Sequence, residues 1–275
     1  MFRQSAGSSL CYACGKLNRV DARTCFYCGA LFPGLWGFGP GIGHVVGQLS
    51  FAKVVMIACG VFYLASLALS PGSLGRPRGL FGLFAPSMPA LDALGMTGSV
   101  ALAQGRWWTL ITAIYLHAGL LHVAFNLLWV NQLAPPVEEA YGRARLVVIF
   151  TAGGVAGFLL SDLGGVAFSV GASGAVFGLL GALVYYGRSR GGAFGWAVLR
   201  QYGQWAVVLL VLGFLMPGVN NIAHAGGFAG GYLAGLALGH EEQSGAGGLA
   251  VVAAGGTVLI TAVCFALALW RAFAP

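Results

Sequence analysis

Seven apolar stretches dominate this 275-residue chain, at about 54–70, 119–137, 144–163, 172–187, 203–217, 222–239 and 249–270. Each approaches the roughly 20 residues that carry an α-helix across a bilayer. Composition agrees, with 58% hydrophobic and only 8% charged residues, far outside the range of soluble domains. Forty-six glycines would weaken helices in water, but between membrane helices they let backbones approach closely. The polar, cysteine-bearing start does not read as a cleavable signal peptide. The expected fold is an all-α polytopic membrane protein.

The net charge of +7 raises the question of an acidic partner. Its distribution answers it. With the N-terminus in the cytoplasm, the inner side holds Arg3, Lys16, Arg19, Arg23, Lys53, Arg143, Arg145, Arg188, Arg190 and Arg200. The outer side holds Arg76, Arg78, Arg106 and Arg271. This asymmetry follows the positive-inside rule, so the excess is topological and no nucleic acid partner is expected. Seven crossings then leave the C-terminus outside, the expected location being a bacterial inner membrane.

Ahead of the first span stand two C-x-x-C-G knuckles, Cys11-Tyr-Ala-Cys14-Gly and Cys25-Phe-Tyr-Cys28-Gly, separated by ten residues. Four thiolates at that spacing can close a tetrahedral Zn²⁺ site, and the following glycines permit turns that aim N–H groups at sulfur. A reducing cytoplasm disfavours the competing disulfides, and two matched knuckles favour metal over a redox pair. Residues 1–32 are therefore expected to form a zinc-ribbon-like module that needs structural Zn²⁺ to fold, its ligands Cys11, Cys14, Cys25 and Cys28. The module either contacts a cytoplasmic protein or simply orders the terminus. Residues 33–50, rich in Gly and Pro, read as a linker, with His44 solvated or interfacial. Cys59 and Cys264 read as small buried apolar residues. The outer loop from Ser70 to Trp108 is proline-rich yet apolar, and is expected to lie partly in the interface with Trp107 and Trp108 as anchors. Asp92 is expected to be a solvated loop carboxylate.

Polar groups inside the spans carry the functional signal. The second span opens His117-Ala-Gly-Leu-Leu-His122 and continues to Asn126; positions 122 and 126 share a helix face. Such groups are costly in lipid and functional by default, unless they serve as hydrogen-bonding glue between helices. This span is expected to end over Pro135-Pro136-Val-Glu138-Glu139 and then Gly142, with Glu138 and Glu139 at the inner interface near Arg143 and Arg145. The fourth span begins in Gly171-Ala-Ser173-Gly174-Ala-Val-Phe177-Gly178, which sets Ser173 at a helix N-terminus, near free N–H groups and the positive dipole end. The sixth span carries His224 and a bare ridge of Gly227, Gly231 and Gly235. Packed on the Gly174, Gly178 and Gly181 face, it would bring the imidazole to the hydroxyl.

A histidine can deprotonate a serine for attack on a carbonyl, and the resulting oxyanion needs preorganised donors. The Ser173 backbone N–H, the Asn126 amide and the His122 imidazole are candidates. No membrane carboxylate is placed to orient His224, which leaves a Ser–His dyad. Taken together, Gly171-x-Ser173-Gly174, His117-x4-His122-x3-Asn126, Glu138-x3-Gly142 and Asn221-x2-His224 with its glycine ridge resemble the rhomboid intramembrane serine proteases. The resemblance implies a six-helix core over 51–240, with 241–275 an inner loop and appended seventh helix. It implies Ser173 as nucleophile, His224 as general base, His122 and Asn126 in the oxyanion hole and His117 bracing the outer loop. It further implies cleavage of transmembrane segments of single-span or polytopic proteins, at small residues near the outer face, without a catalytic cofactor. Trp108-Thr109 stands where many members carry Trp-Arg, and Phe177 where tyrosine is frequent.

Other classes fit less well. A metalloprotease would need His-Glu-x-x-His, and an aspartyl type two membrane aspartates, whereas Asp92 and Asp162 fall in expected loops. A small transporter would line its path with polar groups, but paired membrane charges are missing from the spans. A catalytically inactive rhomboid-like chaperone or binder would have lost the serine or histidine, and both are present.

Overall fold

A computed structural model describes residues 3–12, 14–38, 50–72, 82–240 and 248–273. His44 with most of the linker, Arg76, Arg78 and the inner loop 241–247 lie outside the described residues.

The amino-terminal module pairs β1 (Ser8–Leu10) with β2 (Leu17–Arg19) as an antiparallel ribbon. Its internal contacts continue past residue 32: the Pro33 carbonyl accepts from Tyr12 N at 3.2 Å, and the Gly37 carbonyl from Gln4 N at 2.7 Å.

Long helices follow at all seven expected places: α1 (Phe51–Ala68), α5 (Leu120–Tyr141), α6 (Arg143–Leu163), α7 (Ser173–Arg190), α8 (Gly192–Leu215), α9 (Asn221–Leu238) and α10 (Gly248–Phe273). Short helices α2 (Met88–Ala93), α3 (Ser99–Ala103) and α4 (Thr109–Thr112) fold the outer loop. Helices α1, α6, α8 and α10 are each long and apolar enough to cross a membrane, and α5 joins them when taken with Thr109–Tyr115, from which it bends by 94°. Helices α7 and α9 do not meet that test. The reason is position: α7 is buried along most of its length and α9 buries His224 and its glycines, so these faces meet protein rather than lipid.

Helix α5 closes at the Glu138-x3-Gly142 pattern, as expected. It runs through Pro135 and Pro136 to Tyr141. Each proline removes one backbone donor, yet Leu133, Ala134, Val137 and Tyr141 are buried, and this packing holds the turn helical. Gly142 at φ 77 then ends α5, a backbone conformation that other residues adopt at a cost. Across this corner Arg143 Nε donates to Glu138 Oε1 at 3.0 Å.

Asp92 lies in α2 and is 43% exposed, but it is paired rather than a free loop carboxylate. It accepts from Arg106 Nη1 at 2.7 Å, and the Arg106 side chain is buried. Beside it Leu91, Leu94, Met96 and Leu116 form a small core of their own. Thr109 is buried, its Oγ1 lying 2.7 Å from the Arg106 carbonyl and 3.1 Å from Thr97 Oγ1, so the loop is braced without an arginine at 109. Helix α10 packs on α6, α4 and α2, with Phe265 stacked on Phe62 at 4.0 Å.

The centre of the bundle is glycine against backbone. A Cβ on Gly231 would run into the Gly178 carbonyl and one on Gly227 into that of Gly174, while one on Gly153 of α6 would come within 2.7 Å of Gly178 Cα. Backbone cannot move aside as a side chain end can. Gly231→Ala is expected to cost about 1–3 kcal/mol and to lower the thermal midpoint of the purified protein. Gly255→Ala, where a Cβ meets nothing within 4 Å, is expected to leave it unchanged; equal midpoints for the two variants would contradict this packing.

Candidate functional site

Ser173 is the first residue of α7. Its approach loop is held rigidly: Thr97 and Ser169 exchange backbone hydrogen bonds at 3.2 and 2.8 Å, and Gly171 N donates to the Ala113 carbonyl at 2.9 Å. The serine is partly exposed, whereas residues on either side are buried.

His224 is buried in the first turn of α9. Its ring stacks on Phe177 with centroids 4.3 Å apart and planes 15° apart. Phe177 lies one helical turn beyond Ser173 on the same face of α7, so the imidazole is set against the face that carries the serine. Nδ1 lies 3.1 Å from Asn221 Oδ1. Because that oxygen only accepts, Nδ1 carries the hydrogen and Nε2 keeps its lone pair.

The other two polar residues meet this site from α5. His122 has its Cε1–Nε2 edge beside Gly171, where a Cβ would come within 2.7 Å of the ring, and it lies within electrostatic reach of His224. Ala118 N donates to His122 Nδ1 at 3.3 Å, which leaves the hydrogen on Nε2, the edge facing Gly171. Asn126 donates one amide hydrogen to the His122 carbonyl at 2.8 Å and keeps a second. His117 is fully buried with its ring 5.2 Å from that of His122. His224 thus lies against the helix that begins with Ser173, and His122 against the glycine two residues before it.

Two asparagines tie the site together. Asn221 orients His224. Asn220 caps α9 by accepting from Ala223 N at 3.0 Å, and its amide donates to Ser161 Oγ at 2.6 Å and Ser169 Oγ at 3.0 Å. One side chain therefore joins the end of α6, the loop before Ser173 and the start of α9. The sequence signal was available: asparagine is a preferred cap, and positions 221 and 224 are three apart on one helix.

A second cluster lies in the ribbon. The sulfurs of Cys11, Cys14, Cys25 and Cys28 all fall within 4.8 Å of one another, with Cys11–Cys28 at 3.8 Å and Cys14–Cys25 at 3.6 Å. Four sulfurs bound tetrahedrally at 2.3 Å would stand about 3.8 Å apart, so the donor set fits a metal ion. Burial opposes ionising Cys25, but N–H groups of Cys28 and Tyr27 and the neighbouring thiols outweigh it and favour its thiolate, while the same thiol contacts raise Cys28. Asn18 Nδ2 adds a donor to that sulfur at 3.3 Å.

The rhomboid domain profile matches residues 104–241, just over half of the 275-residue chain. The chain is 39% identical over 153 residues to Rhomboid protease GluP of Bacillus subtilis, covering 54% of this chain and 29% of that protein. It is 34% identical over 166 residues to RHOMBOID-like protein 5 of Arabidopsis thaliana (57% and 52%), and 34% identical over 211 residues to RHOMBOID-like protein 1 of the same plant (70% and 52%). The chain therefore spans from 29% to about half the length of these relatives. A polar constellation enclosed by membrane helices, with a cysteine ribbon ahead of it, defines an integral membrane protein built around an interior site. This chain belongs to the rhomboid family.

Proposed function

We propose that this protein is an intramembrane serine endopeptidase in which Ser173 and His224 act as a dyad. The observation that carries the reading is the state of His224: Asn221 holds Nδ1 and Phe177, one turn beyond Ser173, holds the ring plane, which leaves Nε2 to act as the base. As Ser173 Oγ attacks the scissile carbonyl, its proton passes to Nε2. The oxyanion is received by the Ser173 N–H at the start of α7, by His122 Nε2–H and by the second amide hydrogen of Asn126. Collapse expels the amine, which takes the proton from His224; water then repeats the sequence on the ester and restores the serine. Catalysis needs no cofactor.

The substrates are transmembrane segments of single-span or polytopic membrane proteins, cut near the outer face. The N-terminus is cytoplasmic, which follows from the basic residues of the inner loops. The ribbon is held by structural Zn²⁺ on Cys11, Cys14, Cys25 and Cys28, with Asn18 supporting one sulfur.

Co-expression with a panel of tagged single-span proteins is expected to yield a cleavage product with the intact chain and none with Ser173→Ala, and a phosphonate probe to label only the former. Cleavage or labelling that persists in Ser173→Ala would refute the assignment, and a panel left whole by a correctly folded chain would favour an inactive binder.

Metal analysis is expected to give about one zinc per chain, lost in Cys11→Ser. Ordered thiols without metal would contradict that assignment.

A further inference from the structure

The ribbon carries a surface that its own folding does not use. Strands β1 and β2 each bury their middle residue and turn the other two outward, and their register sets Leu10 opposite Leu17, at 63% and 62% exposed. Lys16 directly precedes Leu17, with its ammonium 5.7 Å from the centroid of the Tyr27 ring. Phe26 stands edge-on to Tyr27 at 5.5 Å and is 90% exposed. Phe26 and Tyr27 are the two inner positions of the second knuckle, a turn pinned by its flanking thiols, so no core is within their reach. A lone exposed leucine needs no explanation. A run of apolar groups on so small a module marks a contact surface.

Three observations say what covers it. First, only residues 39–49 separate Phe38 from Ser50, the N-cap of α1; fully extended they reach roughly 40 Å, so the ribbon stays beside the membrane surface where α1 starts. Second, the charge is complementary to anionic headgroups. Residues 3–38 contain Arg3, Lys16, Arg19 and Arg23 against Asp21 alone, and Asp21 is already paired with Arg19 at 2.7 Å. The module stays net positive even after the two negative charges of a tetrathiolate zinc unit are counted. Third, the cations rim the apolar groups: Lys16 lies over Tyr27, and Arg19 shares an outward strand face with Leu17. Aromatic and aliphatic groups at the centre with lysine and arginine around them are the composition of an interfacial membrane contact.

We propose that the ribbon docks on the bilayer. Phe26, Tyr27 and the Leu10–Leu17 pair enter the headgroup–acyl boundary, while Lys16 beside Tyr27 meets anionic lipid. The cysteine cluster then serves as the rigid frame that presents these side chains.

The test uses the full chain with Phe26→benzoylphenylalanine, reconstituted in phosphatidylglycerol-containing nanodiscs, irradiated and analysed by mass spectrometry. Lipid adducts at position 26 are expected, and Leu10→Ser with Leu17→Ser should lower their yield about tenfold or more. Zinc content measured on the same samples separates loss of docking from an unfolded ribbon. A second arm irradiates native membranes. Metal-loaded protein that forms no lipid adduct in nanodiscs, a yield unaffected by the leucine changes, or adducts in native membranes solely with a soluble protein would each overturn the proposal.

Discussion

The site depends on the contact of α7 with α9, backbone on backbone. Gly227 and Gly231 lie over the carbonyls of Gly174 and Gly178, and Gly153 and Gly157 of α6 close the same junction from the third side. Without side chains between them, the helix axes come near enough for His224, one turn into α9, to lie on Phe177, one turn into α7. In lipid no hydrophobic force drives helices together, so this shape fit and its close packing supply the association. The same demand explains why these two helices are the least lipid-like of the long ones. Their polar and bare residues meet protein, and on α9 it is leucines such as Leu233 and Leu236 that face outward.

Close packing sets separation but not register. Register comes from polar ties at the serine end of the helices. Asn220 bridges Ser161, Ser169 and the first turn of α9, Thr97 pairs with Ser169, and Gly171 hangs from the Ala113 carbonyl. Each tie involves the loop before Ser173 or the helix after it. The outer loop is thereby part of the scaffold: its internal ion pair, Asp92 with buried Arg106, holds the segment from which Thr97 reaches across. Asn221 and Ala118 then assign opposite tautomers to the two histidines, one left with a free lone pair and one with a free hydrogen.

Much of this was legible in the sequence, because it was written in local spacing. The long helices, the two glycine faces, the 122–126 pair and the four-cysteine cluster all follow from periodicity or motif. Long-range partners did not. Asn220 looks like any turn residue until Ser161 and Ser169, 59 and 51 positions away, are beside it. The glycines of α6 read as generic membrane packing until Gly178 is set against them. Pro135 and Pro136 would break a helix in isolation, and the burial around them carries α5 on to Gly142. Asp92 looked solvated since its arginine lies fourteen residues on, beyond any helical spacing. The glycines and proline after residue 32 suggested a linker, yet Gly37 accepts from Gln4.

If the contact of α7 with α9 makes Ser173 and His224 a single functional unit, their contributions to proteolysis cannot add. The direct measurement is a double-mutant cycle on kcat/KM with Ser173→Ala, His224→Ala and the double variant, all checked for equal thermal midpoints. The account predicts that either single change removes nearly the whole rate and that the second costs almost nothing more. Losses that multiply, each residue acting as though the other were intact, would contradict it.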